Sequence, residues 1–143
     1  MPQAHTTEIH ITGKEFPVKF SRTVFLIAAM YGVIVTLPLY FAEQQLALQY
    51  PPGLTHPEYY YTFAGVTLVW QILFILIAYD PQRYRPVMLI CMLEKASLLP
   101  TLLILGPRGA FPQLWIPLMI IDLVLGLLFL ISFFLVRQTS VNT

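Results

Sequence analysis

Hydrophobic residues along this chain gather into four long runs separated by short polar stretches. Val24 to Phe41 is 18 residues without a charge, and Tyr59 to Tyr79 is 21. The third run is Pro86 to Leu105 and the fourth is Leu114 to Val136. A membrane-crossing helix needs about 20 predominantly apolar residues, with a range of roughly 17–25. The pattern therefore predicts an all-α fold, an integral membrane four-helix bundle with spans at about 24–41, 59–79, 86–105 and 114–136. Residues 23–137 form the four-transmembrane-helix domain, residues 1–22 a cytoplasmic polar or interfacial arm, and residues 138–143 a cytoplasmic tail.

The segments between and within the runs refine this picture. In the arm, Thr7 to Thr12 alternates polar and apolar residues, a short strand signal. Lys14, Lys19 and Arg22, interleaved with Phe16 and Phe20, are expected as an interfacial anchor, the alternative being a partly ordered tail. No small-x-small cleavage site follows the first run, so it is expected as a retained span rather than a signal peptide. Ala28, Gly32 and Thr36 recur every four residues and offer a stripe for close helix contact. Pro38 kinks or ends the last turn of that span. Glu43 to Gln49 extends span one or lies as a short interfacial helix, and Tyr50-Pro51-Pro52-Gly53 breaks any helix. Thr55 and Glu58 have the spacing of a capping box. Tyr59, Tyr60, Tyr61 and Tyr79 suit the headgroup level, and Ala64, Thr67, Gln71 and Ala78 share one face of span two. The link from Asp80 to Arg85 is short, so spans two and three are expected as antiparallel neighbours. Pro86 opens span three, and Gly106-Pro107-Arg108-Gly109 ends it.

Composition agrees with the runs. Apolar residues make up 57% and charged residues 10%, against about 25% charged in soluble domains. Net charge is +1, which leaves no basic surface for nucleic acid. The single Cys91 has no intrachain partner and reads as an apolar filler. With the N-terminus cytoplasmic, Lys14, Lys19, Arg22, Arg83, Arg85 and Arg137 share one side and only Arg108 the other. The positive-inside rule then puts both termini in the cytoplasm, with the bacterial cytoplasmic membrane as the expected location.

The chemistry lies inside the runs. Glu94 and Lys95 sit near the middle of span three, and Asp122 is the only charge in span four. Such groups cost roughly 2.5–3.5 kcal/mol each at mid-bilayer and are functional candidates by default. At 1.5 Å per residue, Glu94 and Lys95 lie roughly 12–14 Å from the cytoplasmic end, and Asp122 about 18 Å from it. Gln71 on span two and Tyr31 on span one fall at a similar level, so every helix brings one polar group. Pro100 leaves the carbonyl of Ala96 without its helical donor, and Glu94, Ser97 and Thr101 share a face that can line a polar cavity. Lys95 points about 100° from Glu94 and either snorkels inward or pairs with Asp122. The candidate ligand-binding or proton-relay residues are therefore Tyr31, Gln71, Glu94, Lys95, Ser97 and Asp122. The structural alternative is that they only tie the helices together.

Several chemistries are absent. His5, His10 and His56 lie outside the spans, which excludes a bis-histidine haem, and three scattered histidines with one cysteine make no metal site. No nucleophile elbow, phosphate loop or dinucleotide fingerprint is present, so no catalytic residue and no cofactor is assigned. The stretch from His56-Pro57-Glu58 through Val69-Trp70-Gln71, Asp80-Pro81-x-Arg83-Tyr84-Arg85-Pro86 and Leu93-Glu94-Lys95 resembles the central part of a group of small bacterial four-helix membrane proteins. The resemblance covers about residues 24–136 and implies the topology, singling out Gln71, Glu94 and Lys95 without implying an activity. In layout alone the chain is similar to DoxX-like proteins and to the EXPERA sterol-isomerase group, but the isomerases' histidine and glutamate pattern is missing.

The leading expectation is a non-catalytic membrane protein that binds a lipid-like small molecule or serves as an accessory subunit of a membrane complex. Membrane lipid and a homo-oligomeric or larger assembly are the expected partners. The alternatives are a proton-coupled or ion transporter using Glu94 and Asp122, and a lipid isomerase-like enzyme using the same carboxylates.

Overall fold

The computed structural model describes residues 4–49, 55–111, 113 and 115–141, with side chains over 15–49, 55–111, 113 and 115–136. Every regular element among them is helical. Helix α1 is Ala4–Thr36, followed by a 3₁₀ turn Leu37–Phe41 and the short α2 at Glu43–Gln49. Helix α3 is Pro57–Tyr79, α4 is Arg85–Lys95, α5 is Leu98–Leu105, and α6 is Trp115–Val141. Four segments are long and apolar enough to cross a membrane: Glu15–Phe41, Pro57–Tyr79, Arg85–Arg108 and Trp115–Val136.

The surface supports that reading independently of length. Met30, Ile34, Val69, Ile72, Leu93 and Leu127 are all more than half exposed. A contiguous apolar exterior of this kind is what a soluble monomer avoids and what a lipid-facing surface requires.

Helix α1 is the spine of the bundle, packing against α3 on one side and α6 on the other, while α4 packs against α6. The stripe expected for close contact is buried: Ala28 is fully inaccessible, Gly32 is buried, and Thr36 is 3% exposed. Phe25 of α1 stacks on Phe129 of α6 with ring centroids 4.2 Å apart, and Phe74 of α3 meets both rings edge-on, at 6.1 and 5.2 Å. Each such pair contributes about 0.5–1.5 kcal/mol beyond its area, so this trio locks three helices together. At the same end, Arg22 Nε and Nη2 donate to the carbonyls of Ala78 and Tyr79, at 3.0 and 3.2 Å, and so cover the last carbonyls of α3. Arg85 Nε donates to Phe133 O at 2.9 Å with its guanidinium 3.9 Å from the Phe133 ring centroid, fastening α4 to α6.

Several sequence expectations are corrected. Thr7 to Thr12 is helical, not extended, and α1 runs without interruption from Ala4 into the first span. The arm is thus a helical continuation of that span, and its backbone bonds are made locally where a strand would have needed a partner. The helix continues through Pro17 and ends at Thr36, where Pro38 forces the 3₁₀ turn. The capping box does not form, because Pro57 takes the first helical position and makes His56 the N-cap. Glu58 Oε1 instead lies 3.0 Å from His56 Nδ1. Spans two and three are joined by the tight turn at residues 81–84, but they are not packing neighbours along their length. Span three itself is two helices, interrupted at Ala96–Ser97, because the Pro100 ring would collide with the Ala96 carbonyl in a continuous helix. That carbonyl is not left free, since it accepts the Leu99 N–H at 3.0 Å in a tighter turn. The Gly106–Arg108 turn ends as expected, with Gly109 at φ 62°, where a side chain would strain the backbone. The expected break at Tyr50–Gly53, the start of span four at Leu114 and the last tail residues lie outside the described residues.

Candidate functional site

The helix order around the bundle positions the site. Because α3 and α4 diverge from their shared turn, the far half of the molecule is wedged open between α1, α3, the α4–α5 break and α6. Here lies a cavity of about 440 Å³, within the roughly 300–1,000 Å³ of small-molecule sites. At one end its wall carries Tyr31, Gln71, Glu94, Lys95, Ser97 and Asp122. All six candidate residues, scattered over 92 positions of sequence, therefore line one space. Thr101, expected on the same face as Glu94 and Ser97, is exposed and takes no part.

Lys95 is the hub. Its side chain is 4% exposed, with Nζ 3.0 Å from Asp122 Oδ1 and 3.4 Å from Glu94 Oε2. It also stands 5.2 Å from the centroid of Phe74, where a cation is attracted to the ring face. Of the two expected geometries, the pairing with Asp122 is the one realised, and Glu94 Oε2 also comes within ion-pair distance of the same ammonium. Gly126, one turn beyond Asp122, marks the close approach of α6 to Lys95, where a Cβ would make ordinary contact with Lys95 Cβ at 3.4 Å.

Gln71 forms the second polar element. It is 1% exposed, and its Nε2 donates to Thr67 O at 2.8 Å. That carbonyl fixes which end of the amide is the amine, so Oε1 is the acceptor, and it has no donor. The carboxamide occupies the notch over Gly32, where any Cβ would overlap it. Glu94 Oε2 and Asp122 Oδ1 are likewise buried without an aligned hydrogen bond, although both are within ion-pair distance of Lys95.

From this polar end the cavity extends along apolar walls that include Val35, Leu39, Val66, Trp70, Leu98 and Leu118. Leu46 of α2, Phe63 and Trp115 close the far end. Helix α2 is held over that end by the Tyr61 hydroxyl, which donates to Glu43 Oε2 at 2.6 Å, and the Tyr60 hydroxyl donates to Leu39 O of the preceding turn. Sequence reasoning missed these walls. The signal was present in the periodicity, because Val35 and Leu39 lie one and two turns on from Tyr31, and Leu118 and Trp115 one and two turns before Asp122.

Chemically, the site presents a buried ion pair with an extra carboxylate, a free amide oxygen and a long apolar chamber. Among the described residues no cluster of three or more metal-ligating side chains occurs. Comparison with protein-family models, with curated proteins and with solved structures returns no match to this chain, so its function is read from the geometry of the site.

Proposed function

We propose that this chain is a membrane-embedded binding protein for a lipid-like small molecule, with its termini in the cytoplasm and no catalytic role. One observation carries the reading: an apolar cavity of about 440 Å³ that ends on the buried Gln71 Oε1, which has no donor, beside two carboxylate oxygens whose ion pairs with Lys95 include no aligned hydrogen bond. Buried polar atoms are normally satisfied, and a site that only tied helices together would pair them and fill the space beside them. Apolar walls with a few convergent polar groups are the ordinary form of a ligand pocket.

The chain's two tryptophans, Trp70 and Trp115, both line the cavity, which supplies the assay. In nanodiscs, a brominated single-chain amphiphile is expected to quench their fluorescence saturably near one equivalent per protein. Val35→Phe, which fills the cavity without touching a polar group, is expected to leave only the linear quenching of bulk lipid. Linear, non-saturating quenching of the unmodified protein would refute the reading.

A transport role is the second reading, favoured by the interruption of span three at Ala96–Ser97, beside Glu94. Broken helices at mid-membrane often mark substrate and ion sites in transporters. Flux across sealed liposomes that Glu94→Gln abolishes would establish it, and tight liposomes without flux would remove it.

A further inference from the structure

Resting on the lipid-like ligand proposed above, the chemistry of the polar end identifies the head group. Among the described residues, three buried side-chain oxygens at this end make no aligned hydrogen bond: Gln71 Oε1, which has no donor beside it, and Glu94 Oε2 and Asp122 Oδ1, which have only the Lys95 ammonium. All three are acceptors. Among the described residues the only cation lining the cavity is Lys95, and it faces two carboxylates, so the formal balance of the site is one negative charge in excess. Gln71 gives the independent indication, since it is a neutral amide, almost fully buried, whose free end is again an oxygen. What complements this surface donates hydrogen bonds and carries positive charge. An anionic head group meets the excess charge, and a head group that only accepts hydrogen bonds leaves Gln71 Oε1 without a donor and adds none to the two carboxylates that share Lys95. The lining agrees, because the aromatic side chains Tyr31 and Trp70 lie at or beside the polar end, and aromatic rings favour alkylammonium groups.

We infer that the site takes a long-chain amine, bound as the ammonium, with its N–H groups directed at Gln71, Glu94 and Asp122 and its chain along the apolar walls. The competing balance is a proton on one carboxylate, which would leave a neutral site that takes an uncharged alcohol as readily as an amine.

The test is displacement of the brominated amphiphile from the full chain in phosphatidylcholine nanodiscs by dodecylamine, dodecanol and dodecanoate, in mildly alkaline buffer. Val35→Phe supplies the background for partition into bulk lipid. Hydrogen bonds to charged groups exceed neutral ones by about 1–1.5 kcal/mol, so dodecylamine is expected to displace the probe about tenfold more tightly than dodecanol. Dodecanoate is expected to be the weakest. Glu94→Gln leaves the Lys95–Asp122 pair in place to hold the fold and should bring amine and alcohol to near equality. Equal or better displacement by the alcohol or the carboxylate in the unmodified protein overturns the amine inference and leaves the lipid-binding reading standing. An amine preference that persists unchanged in Glu94→Gln overturns the inference as well. Failure of all three to displace a saturably bound probe overturns it too, whereas failure of the probe itself to saturate removes the reading beneath it.

Discussion

Replacing Lys95 by methionine removes the one cation between two buried carboxylates and keeps a side chain of similar length. The oxygens of Asp122 and Glu94 lie 3.0 and 3.4 Å from Nζ. With an effective dielectric of about 20, each attraction is worth roughly 5 kcal/mol, and the desolvation of the charges offsets much of it. Deleting one partner of such a pair leaves the desolvation uncompensated, and the usual cost is about 3–5 kcal/mol. That corresponds to roughly two to three and a half orders of magnitude in the unfolding equilibrium. Glu94→Gln behaves differently, because it leaves one cation facing one carboxylate and relieves the excess charge. Its cost is expected within about 1 kcal/mol of zero, and Asp122→Asn, which removes the closer partner, falls between the two. Reversible unfolding in mixed micelles, followed through Trp70 and Trp115, measures all three. A Lys95→Met protein as stable as the unmodified chain, or a Glu94→Gln protein as unstable as Lys95→Met, would refute the hub role of Lys95.

Further expectations concern packing, the clamps and orientation. Gly32→Ala forces the Gln71 carboxamide out of its notch and off Thr67 O, at a cost of about 1–3 kcal/mol in the same unfolding assay. Gly126→Ala, where the added Cβ makes only ordinary contact with Lys95, should be neutral or slightly stabilising, because alanine is the better helix former. Arg85→Ala loses a charge-assisted bond to the Phe133 carbonyl and a ring contact, together about 2 kcal/mol, and Arg85→Lys should not restore them, lacking the planar fork. In a Cys91→Ala background, a cysteine at Gln82 should react with an impermeant thiol reagent only from the cytoplasmic side and one at Gly109 only from the other. The opposite labelling would invert the proposed orientation.

The positions of the helices were legible because runs of about twenty apolar residues admit few alternatives. The polar level was legible for the same reason, since a charge in such a run is costly enough to stand out, and rise per residue gives its depth. Depth does not give azimuth. Lys95 was equally compatible with snorkelling and with pairing to Asp122, and only the close α4–α6 contact at Gly126 decides between them. Helix order was illegible as well, because a short connection between Asp80 and Arg85 brings two ends together without making two helices pack. The α1-centred arrangement depends on Phe25, Phe74 and Phe129, whose mutual fit is a property of three helices at once. In the arm, the alternation of Thr7 to Thr12 misled because two-residue periodicity stabilises a strand only where a partner strand exists. The cavity follows from that order, being the space left where α3 and the α4–α5 break diverge.

The central claim is that this space holds an amphiphile by its polar end. Native mass spectrometry of the protein, extracted gently from its own membrane, addresses it without presuming a ligand. One small molecule at fixed stoichiometry is expected on the unmodified chain and should be lost from Val35→Phe and reduced in occupancy in Glu94→Gln. A spectrum of the unmodified chain carrying no small molecule, and unchanged in either variant, would contradict the claim and leave the polar centre as a device for joining helices.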